Sequence, residues 1–458
     1  MAAQASPPTK KVLVPIVAGT EPVEAAVPID VLRRAGADVT VASADDGELV
    51  VEVMYGVRIV ADALVAGGDC AAAHFDLIVL PGGVPGAANL GGCAALEAMV
   101  RRHAAARGLY AAICAAPPLA LASWGMLNGL KATAHPLFVD KFPPEVAAVD
   151  ASVVVDASAV TSRGPATSTE FALALVEQLY SKNKAEQIAK EMLVRYDAGY
   201  TIDEVNSVQW KCNGTPKVLV PVANGTEEME LITIIDVLRR ADADVVVASA
   251  ENAGVEIVAR HGMRIGGTPG AKTMSSNEKL VALLKKQAAA SKPYGAIGAA
   301  TAHVLEPHGL LEGKKAADQD GGGECESRVV VDGNVITSGG TGTAMEFAVA
   351  AVEKLLGRDV AQRMLDYEIS SPVVKLESPR TGHACASTET AAATTRRSIP
   401  GHSRHATPLS LHAAATPTLP LPSPAGKRGR GTHHEVATSI FPANDARITP
   451  PRPYRTGQ

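Results

Sequence analysis

The sequence predicts an α/β fold in which a doubly wound domain with a parallel sheet occurs twice in tandem. Short apolar runs of strand length alternate with amphipathic segments of 3.6-residue periodicity. Residues 11–44 return in recognisable form at 217–250, at an offset of 206 residues. Aromatic residues make up only 3% of the 458 residues, so the cores must be built from Ala, Val, Leu and Ile, which suits packed layers of helices and strands.

The first copy, residues 10–196, reads as strands and helices in alternation. Its strands are apolar and almost uncharged, which is typical of parallel strands covered on both faces. The predicted elements in chain order are the strand KVLVPIV, an amphipathic helix ending at VLRRAG, the strand ADVTVAS, the strand FDLIVLP, the helix AALEAMVRRHAAAR, the strand LYAAIC, the strand ASVVVDAS and the helices STEFALALVEQLYS and AEQIAKEML. Right-handed crossovers would join the parallel strands. The polar residues 197–215 are assigned as a linker.

The second copy, residues 216–369, has lost part of this pattern. Glu24 matches Glu230 at the offset of 206, whereas Cys114 matches Gly298 at an offset of 184, so 22 residues are missing. The lost segment includes the counterpart of FDLIVLP, a central strand, and each unpaired buried backbone group costs about 1–3 kcal/mol. We expect either that a neighbouring segment such as VARHGMRI fills the gap or that this half is distorted. An incorrectly assigned exon boundary would leave the same gap.

Composition narrows the classes of function. The net charge of −5 argues against a general binder of nucleic acid or anionic membranes, and no uncharged apolar run reaches the roughly 18 residues of a membrane span. Six cysteines without a CxxC pair predict neither a disulfide framework nor a zinc site. The short polar N-terminus does not resemble a signal peptide, so we expect a cytoplasmic protein. Residues 370–458 are rich in Pro, Ser, Thr and Ala and are expected to be disordered, and their basic cluster 427–430 leaves an additional nuclear location open.

The candidate site is organised around Cys114. The segment GLYAAICAAPP places this cysteine where a buried strand ends and a helix begins, and a helix N-terminus favours a thiolate. Glu24 lies in the loop after the first strand, and Gly82 and Gly83 follow the strand FDLIVLP. Because the carboxyl ends of parallel strands meet at one edge of a sheet, we expect these groups to lie together, with His135 as a further polar group. A carboxyl beside a thiol can move a proton, and glycine N–H groups can bind an oxyanion.

These residues resemble the ThiJ/PfpI superfamily, and within it the DJ-one (parkinsonism protein) branch with its two-domain plant relatives. The resemblance rests on AGTEPVEAAVPIDVLRRAGADVTVAS, FDLIVLPGG, AAICAAPP, TAHP and TSRGPATSTEFALALVE, and recurs more weakly from residue 216 to 369. It implies a flavodoxin-like sheet. It also implies the following roles: Cys114 as nucleophile, Glu24 as its acidic partner, His135 as the active-site histidine, Gly82 and Gly83 with Ala115 as the oxyanion-binding and substrate-binding backbone, and Arg163 as the arginine that braces the pocket.

The resemblance implies a glyoxalase that needs neither glutathione nor another cofactor or metal. It would convert methylglyoxal to lactate or glyoxal to glycolate, and would also act as a deglycase of glycated proteins, so its partners would be small dicarbonyls or glycated side chains. We expect a protonated Glu24 beside an ionised Cys114. One alternative is a redox-sensing stress-response chaperone with an oxidisable cysteine. A cysteine peptidase has less support, because the histidine that follows the cysteine in the peptidase-like branch is here Ala115.

The second copy lacks most of these groups. Gly298, Gln319 and Gly339 stand at the positions of the cysteine, the histidine and the arginine, and only Glu230 is kept. We therefore expect the second copy to shield apolar surface of the first in an intrachain pseudo-dimer and to contribute no catalysis. The sequence leaves further homo-oligomerisation open.

Overall fold

The computed structural model describes residues 9–195, 202–212, 214–251, 256–266, 271–317, 328–368 and 380–381. The tail that was expected to be disordered therefore lies outside the described residues, apart from Arg380 and Thr381. Within the described ranges, no helix is both long enough and apolar enough to cross a membrane.

The first repeat contains a seven-stranded sheet between layers of helices. Its strands and helices are β1 (Lys11–Ile16), α1 (Pro22–Arg34), β2 (Asp38–Ser43), β3 (Val50–Glu52), β4 (Arg58–Val60), β5 (Ala63–Leu64), α2 (Gly68–Ala72), β6 (Leu77–Leu80), α3 (Gly86–Gly92), α4 (Ala94–Ala105), β7 (Leu109–Ile113), β8 (Lys131–Ala132), β9 (Ala147–Ala148), β10 (Val153–Asp156), β11 (Ala159–Ser162), α5 (Ser168–Leu179) and α6 (Lys182–Glu191).

The strand order of this sheet is β10-β11-β7-β6-β1-β2-β5. All neighbouring pairs are parallel except β10 and β11. The central order β2-β1-β6-β7-β11 is that of a flavodoxin-like doubly wound sheet, which confirms the predicted fold class. All four residues of β6 are buried, as an uncharged run covered on both faces requires. The direction of winding changes between β1 and β6, so the loops that follow β1, β6 and β7 meet at one edge.

The second repeat keeps many of the same elements. They are β12 (Ile202–Val205), β13 (Lys217–Val222), α7 (Glu228–Arg240), β14 (Asp244–Ser249), β15 (Glu256–Val258), β16 (Arg264–Gly266), α8 (Ala271–Ser276), α9 (Glu278–Ala289), β17 (Tyr294–Ile297), β18 (Val329–Asp332), β19 (Val335–Ser338), α10 (Ala344–Leu356), α11 (Arg358–Arg363) and β20 (Arg380–Thr381). Strand β12 comes from the segment assigned as a linker, and it pairs in parallel with β18.

The sheet of the second repeat is split where the central strand is missing. β13 and β14 form a separate two-stranded ladder, and β17 belongs to a second sheet with the order β17-β19-β18-β12-β20. A largely apolar cavity of about 150 Å³ lies between β13 and β17. The segment VARHGMRI does not fill this gap. It contributes instead to the antiparallel hairpin β15–β16, whose strand β16 pairs with β4 of the first repeat. Of the two expectations, the distorted sheet is therefore the one observed.

The two repeats contact each other through equivalent surfaces. Besides the pairing of β4 with β16, helix α1 packs against α7. Two pairs of polar contacts are equivalent at the offset of 206 residues. In the first pair, Arg34 contacts Glu227 at 2.7 Å and Arg240 contacts Glu21 at 2.8 Å. In the second, Arg33 donates to the carbonyl of His261 at 3.1 Å and Arg239 donates to the carbonyl of Tyr55. The contact is thus approximately two-fold symmetric, as in an isologous dimer.

Candidate functional site

Cys114 lies on a sharp turn at the end of β7. The strand ends at Ile113, and a six-residue π-helical segment begins at Pro117. Cys114 has φ of +65°, a left-handed conformation that costs a non-glycine residue about 1–2 kcal/mol. Its N–H donates to the carbonyl of Ser162 at 3.0 Å, which holds the turn against β11. A buried residue kept in this conformation, 8% exposed, is typical of a functional position.

Glu24 is fully buried in the first turn of α1. The helix begins with Glu21 as its N-cap, whose Oε2 accepts the N–H of Glu24 at 2.6 Å. The N–H of Gly82 donates to Glu24 Oε2 at 2.9 Å, and none of the described residues donates a hydrogen bond to Oε1. A Cβ at Gly82 would lie 2.6 Å from both Cys114 Cβ and Glu24 Oε2, so only glycine allows the three strand ends to approach this closely.

Burial controls the ionisation of this pair. It raises the pKa of Glu24 from 4.5 to about 8, against smaller lowering effects of the Cys114 thiol, Arg240 and the Gly82 N–H. A protonated Glu24 near neutral pH agrees with our expectation. Burial, followed by the charge of an ionised Glu24, also raises the pKa of Cys114 well above 9.0, a direction that runs against the expected ionised thiol. The helix after Cys114 is too short for its dipole to offset the lost hydration of a thiolate.

One backbone N–H group faces the sulfur. The N–H of Gly83 interacts with Cys114 in the sense that favours the thiolate and lowers its pKa. Gly83 has φ of +92°, and a Cβ there would lie 2.5 Å from the carbonyl oxygen of Gly19, so glycine is required. Ala115 follows Cys114 directly and is fully buried. Gly83 therefore offers a donor beside the thiol, where an oxyanion formed at an adduct carbon would need one, and Ala115 is the next residue along the chain.

His135 is a neutral member of the site. Its backbone N–H donates to the carbonyl of Cys114 at 3.0 Å, and its Nδ1 accepts the N–H of Leu137 at 3.3 Å. The ring proton therefore resides on Nε2. Burial, with the nearby charges of Arg163 and Arg240, lowers the pKa of His135 from 6.5 to about 4. Arg163 forms an ion pair with Asp150, and its buried Nε finds no acceptor in the described part of the chain.

Arg240 is a site residue that the sequence analysis missed. It belongs to the second repeat, yet its Nη2 donates to Glu21 Oε1 at 2.8 Å and its charge acts on Glu24. Its Nε is held by Asp236 at 2.6 Å, and its guanidinium lies 4.7 Å from the ring centre of Tyr55. The available signal was the retention of DVLRR in a repeat that had lost its nucleophile. The second repeat therefore does more than shield apolar surface.

The second repeat keeps the backbone of the site without its reactive group. Gly298 has φ of +55° and donates its N–H to Ser338 at 3.0 Å, as Cys114 does to Ser162. Burial raises the pKa of Glu230 from 4.5 to about 8. Gly339 provides no side chain, and Gln319 lies outside the described residues.

Comparisons with known proteins identify the family to which this fold belongs. The chain matches the DJ-1/PfpI family over residues 10–178, 216–265 and 264–354. It is 48% identical over 391 residues to Protein DJ-1 homolog B of Arabidopsis thaliana, covering 78% of this chain and 88% of that protein. It is 34% identical over 173 residues to the Glutathione-independent glyoxalase DJR-1.2 of Caenorhabditis elegans, covering 38% of this chain and 89% of that protein. The solved structure of oxidized Toxoplasma gondii DJ-1 is 43% identical, with a TM-score of 0.40, covering 41% of this chain and all of that one. With two copies of its conserved domain matched in tandem, the chain belongs to the DJ-1/PfpI family.

Proposed function

We propose that the protein is a glutathione-independent glyoxalase that isomerises and hydrates small α-oxoaldehydes, methylglyoxal to lactate and glyoxal to glycolate. The observation that carries the proposal is the buried pair of Cys114 and Glu24, a nucleophile next to a carboxyl whose pKa of about 8 suits proton transfer near neutral pH. The similarity over 173 residues to a C. elegans glyoxalase supports it.

The first step is addition of the thiol to the aldehyde. In the resting site both Cys114 and Glu24 carry protons. When Glu24 has lost its proton, its carboxylate accepts the thiol proton while the sulfur forms a bond to the aldehyde carbon. The carbonyl oxygen becomes an oxyanion between the N–H groups of Gly83 and Ala115, and a proton from Glu24 converts it to a hemithioacetal.

The second step moves a hydrogen between the two substrate carbons. The carboxylate of Glu24 removes the proton from the former aldehyde carbon, giving an enediolate, and returns it to the neighbouring carbon, while the hydroxyl proton on the first carbon passes to the oxygen on the second. The product is a thioester of a 2-hydroxy acid on Cys114. Water then attacks the thioester, the sulfur leaves and regains its proton, and the hydroxy acid is released. No electrons enter or leave the site during the cycle.

His135 and Arg163 suit the other end of the substrate. With a pKa of about 4, His135 is neutral and donates a hydrogen bond from Nε2, which can hold the ketone oxygen while it gains a proton. Arg163 presents a buried Nε without an acceptor among the described residues, which suits a ligand oxygen. Both residues orient the substrate in this proposal, while Cys114 and Glu24 break and form its bonds.

The test measures methylglyoxal consumption and lactate formation by the full chain without glutathione. We expect Cys114→Ala to lose both activities. Cys70→Ala is the matched control, because Cys70 is equally buried, at 6% exposed against 8%, but lies in α2. A Cys114→Ala variant that still forms lactate at the wild-type rate would refute the proposal.

The alternatives predict other outcomes. A primary redox-sensing role predicts instead that mild peroxide oxidises Cys114 in a protein that shows no turnover. Mass spectrometry after mild peroxide treatment detects oxidation of Cys114, and turnover of methylglyoxal is measured on the same sample. Together they separate redox sensing from glyoxalase activity. The burial of Cys114 favours free dicarbonyls over glycated protein side chains, which a parallel assay on a glycated peptide checks.

A further inference from the structure

Four potential metal ligands converge at the contact between the repeats. Asp30 lies on α1 of the first repeat, Glu227 and Glu228 begin α7 of the second, and His261 lies in the turn between β15 and β16. One ligand atom from each lies within 4.8 Å of the others. The four residues are scattered over more than 200 positions of the chain, so no spacing motif in the sequence predicts this group.

One buried oxygen of the group lacks a donor. Asp30 is fully buried and Glu227 is 7% exposed, and Asp30 Oδ1 contacts the ring of His261. Arg34 contacts Asp30 at Oδ2 and Glu227 at Oε2, each at 2.7 Å. Oε1 of Glu227 has neither a hydrogen bond nor an ion pair among the described residues. Buried carboxylate oxygens in this state are costly unless a cation reaches them.

The imidazole of His261 is directed into the same space. Its Nδ1 contacts Asp30 Oδ1 and lies 3.8 Å from an oxygen of Glu227 and 3.8 Å from one of Glu228. The backbone N–H of His261 donates to both oxygens of Glu228, at 3.2 and 3.1 Å, which orients the carboxylate beside the ring. Hydrogen bonds of this kind commonly orient the ligands of metal sites.

The equivalent position on the other side of the contact lacks two of the four ligands. The two-fold counterparts of Asp30, Glu227, Glu228 and His261 are Asp236, Glu21, Pro22 and Tyr55. That side keeps the ion pairs of Arg240 with Asp236 and Glu21 without the other two groups. The extra carboxylate and the imidazole occur on one side only.

We propose that Asp30, Glu227, Glu228 and His261 bind one divalent first-row transition-metal ion that links the two repeats. Three carboxylates and Arg34 leave two negative charges, which a divalent ion neutralises. One nitrogen and three oxygen ligands suit Mn²⁺ to Zn²⁺, whereas the absence of sulfur from the set disfavours Cu⁺. Metal–ligand bonds of about 2.0–2.2 Å place the ligand atoms roughly 3.3 Å apart. The 3.8 Å separations of His261 Nδ1 from Glu227 and Glu228 therefore need to contract only slightly. Asp30 Oδ1, which contacts His261 Nδ1, has to move away from it.

The site has a structural role in this proposal. Asp30 comes from one repeat and the other three ligands from the second, so the ion stabilises the folded chain in which the repeats are in contact. None of the four ligands belongs to the proposed catalytic pair. A failure of the metal proposal would therefore leave the glyoxalase proposal unaffected, and the reverse also holds.

The test uses the full chain after treatment with a chelator, titrated with Mn²⁺ and followed by the electron paramagnetic resonance signal of the free ion. Mn²⁺ prefers oxygen and nitrogen ligands and so avoids the thiols. We expect one bound ion per chain, and an increase in the thermal unfolding midpoint of about 4 °C at a metal concentration 100 times the dissociation constant.

Two variants locate the ion. His261→Gln and Glu228→Gln should each weaken Mn²⁺ binding by at least ~10-fold and, at the same metal concentration, reduce the shift in midpoint by about half or more. Glu228→Gln should fold, because proline occupies the equivalent position of the first repeat. His303→Gln is the matched control, since His303 is exposed elsewhere in the second repeat, and should bind as the wild type does. Wild-type protein that leaves the free Mn²⁺ signal unchanged, or variants that bind as tightly as wild type, would overturn the proposal.

Discussion

Replacing Glu24 by glutamine separates the stability of the site from its chemistry. The amide oxygen can accept the N–H of Gly82 that Oε2 accepts at 2.9 Å, and the amide N–H₂ takes the place of the oxygen that accepts no hydrogen bond. The side chain keeps its size but cannot ionise. The variant therefore removes the cost of a buried charge while it also removes the group that moves protons.

The magnitude follows from the two pKa values. The folded site raises the pKa of Glu24 from 4.5 to about 8. Between these values the folded protein binds the proton more tightly than the unfolded chain, so wild-type stability falls as the pH rises through this range. At about 1.4 kcal/mol per pKa unit the full loss approaches ~5 kcal/mol, of which ~4 kcal/mol is reached at pH ~8 and less than ~1 kcal/mol at pH ~5. Relative to wild type, Glu24→Gln should gain this amount with increasing pH.

The assay is urea-induced unfolding of both proteins, followed by circular dichroism, at these two pH values. Glu230→Gln is the matched control, because burial raises the pKa of Glu230 to about 8 in the second repeat as well. Both variants should be more stable than wild type in the alkaline sample and similar to it in the acid one. Only Glu24→Gln should lose methylglyoxal turnover. Parallel stability profiles of wild type and Glu24→Gln would show that Glu24 is not protonated in the folded site, and the reasoning would fail.

Three further predictions test other parts of the site. Arg240→Met should raise the pKa of Glu24 and reduce turnover several-fold at neutral pH, with a rate profile shifted to higher pH, whereas the equivalent Arg34→Met should leave the profile unchanged. In the wild type, kcat/KM should rise with pH through about 8 as Glu24 loses its proton; a profile that is flat from pH 6 to 9 would contradict this assignment. Gly298→Cys should not restore activity to a protein that lacks the first nucleophile, because Gly339 provides no arginine, and any recovered lactate formation would contradict that expectation.

The fold of the first repeat was predictable because its signals are local. The run FDLIVLP became β6, fully buried, and GLYAAIC became β7 with the cysteine on the turn that follows. The strand β12 was not predictable. Its sequence IDEV is short and half polar, and it pairs with β18 more than 120 residues later. The pairing of β16 with β4 was likewise hidden, because hydrogen bonds between repeats leave no periodicity within either strand.

Arg240 of the second repeat shows why a sequence analysis can miss a residue that lies near a site. Arg34 and Arg240 occupy equivalent positions in two helices that both end in IDVLRR, so the sequence gives no reason to rank them differently. The two-fold contact exchanges them: Arg34 pairs with Glu227, and Arg240 pairs with Glu21, whose Oε2 accepts the N–H of Glu24. An arginine retained in the degenerate repeat thus acts on the intact one.

The ionisation of the nucleophile depended on two quantities that the sequence does not contain. The motif AAICAAPP correctly indicates a turn into a helix, but not that this helix has only six residues and π-helical geometry. Nor does it indicate that Cys114 is 8% exposed or that Glu24 is fully buried beside it. The dipole of a short helix terminus is worth a few tenths to about 1 kcal/mol, whereas burial shifted the pKa of Glu24 by several times that free energy. The larger effect favours the protonated form of each group at rest, and in the proposed reaction the site becomes reactive only when Glu24 loses its proton.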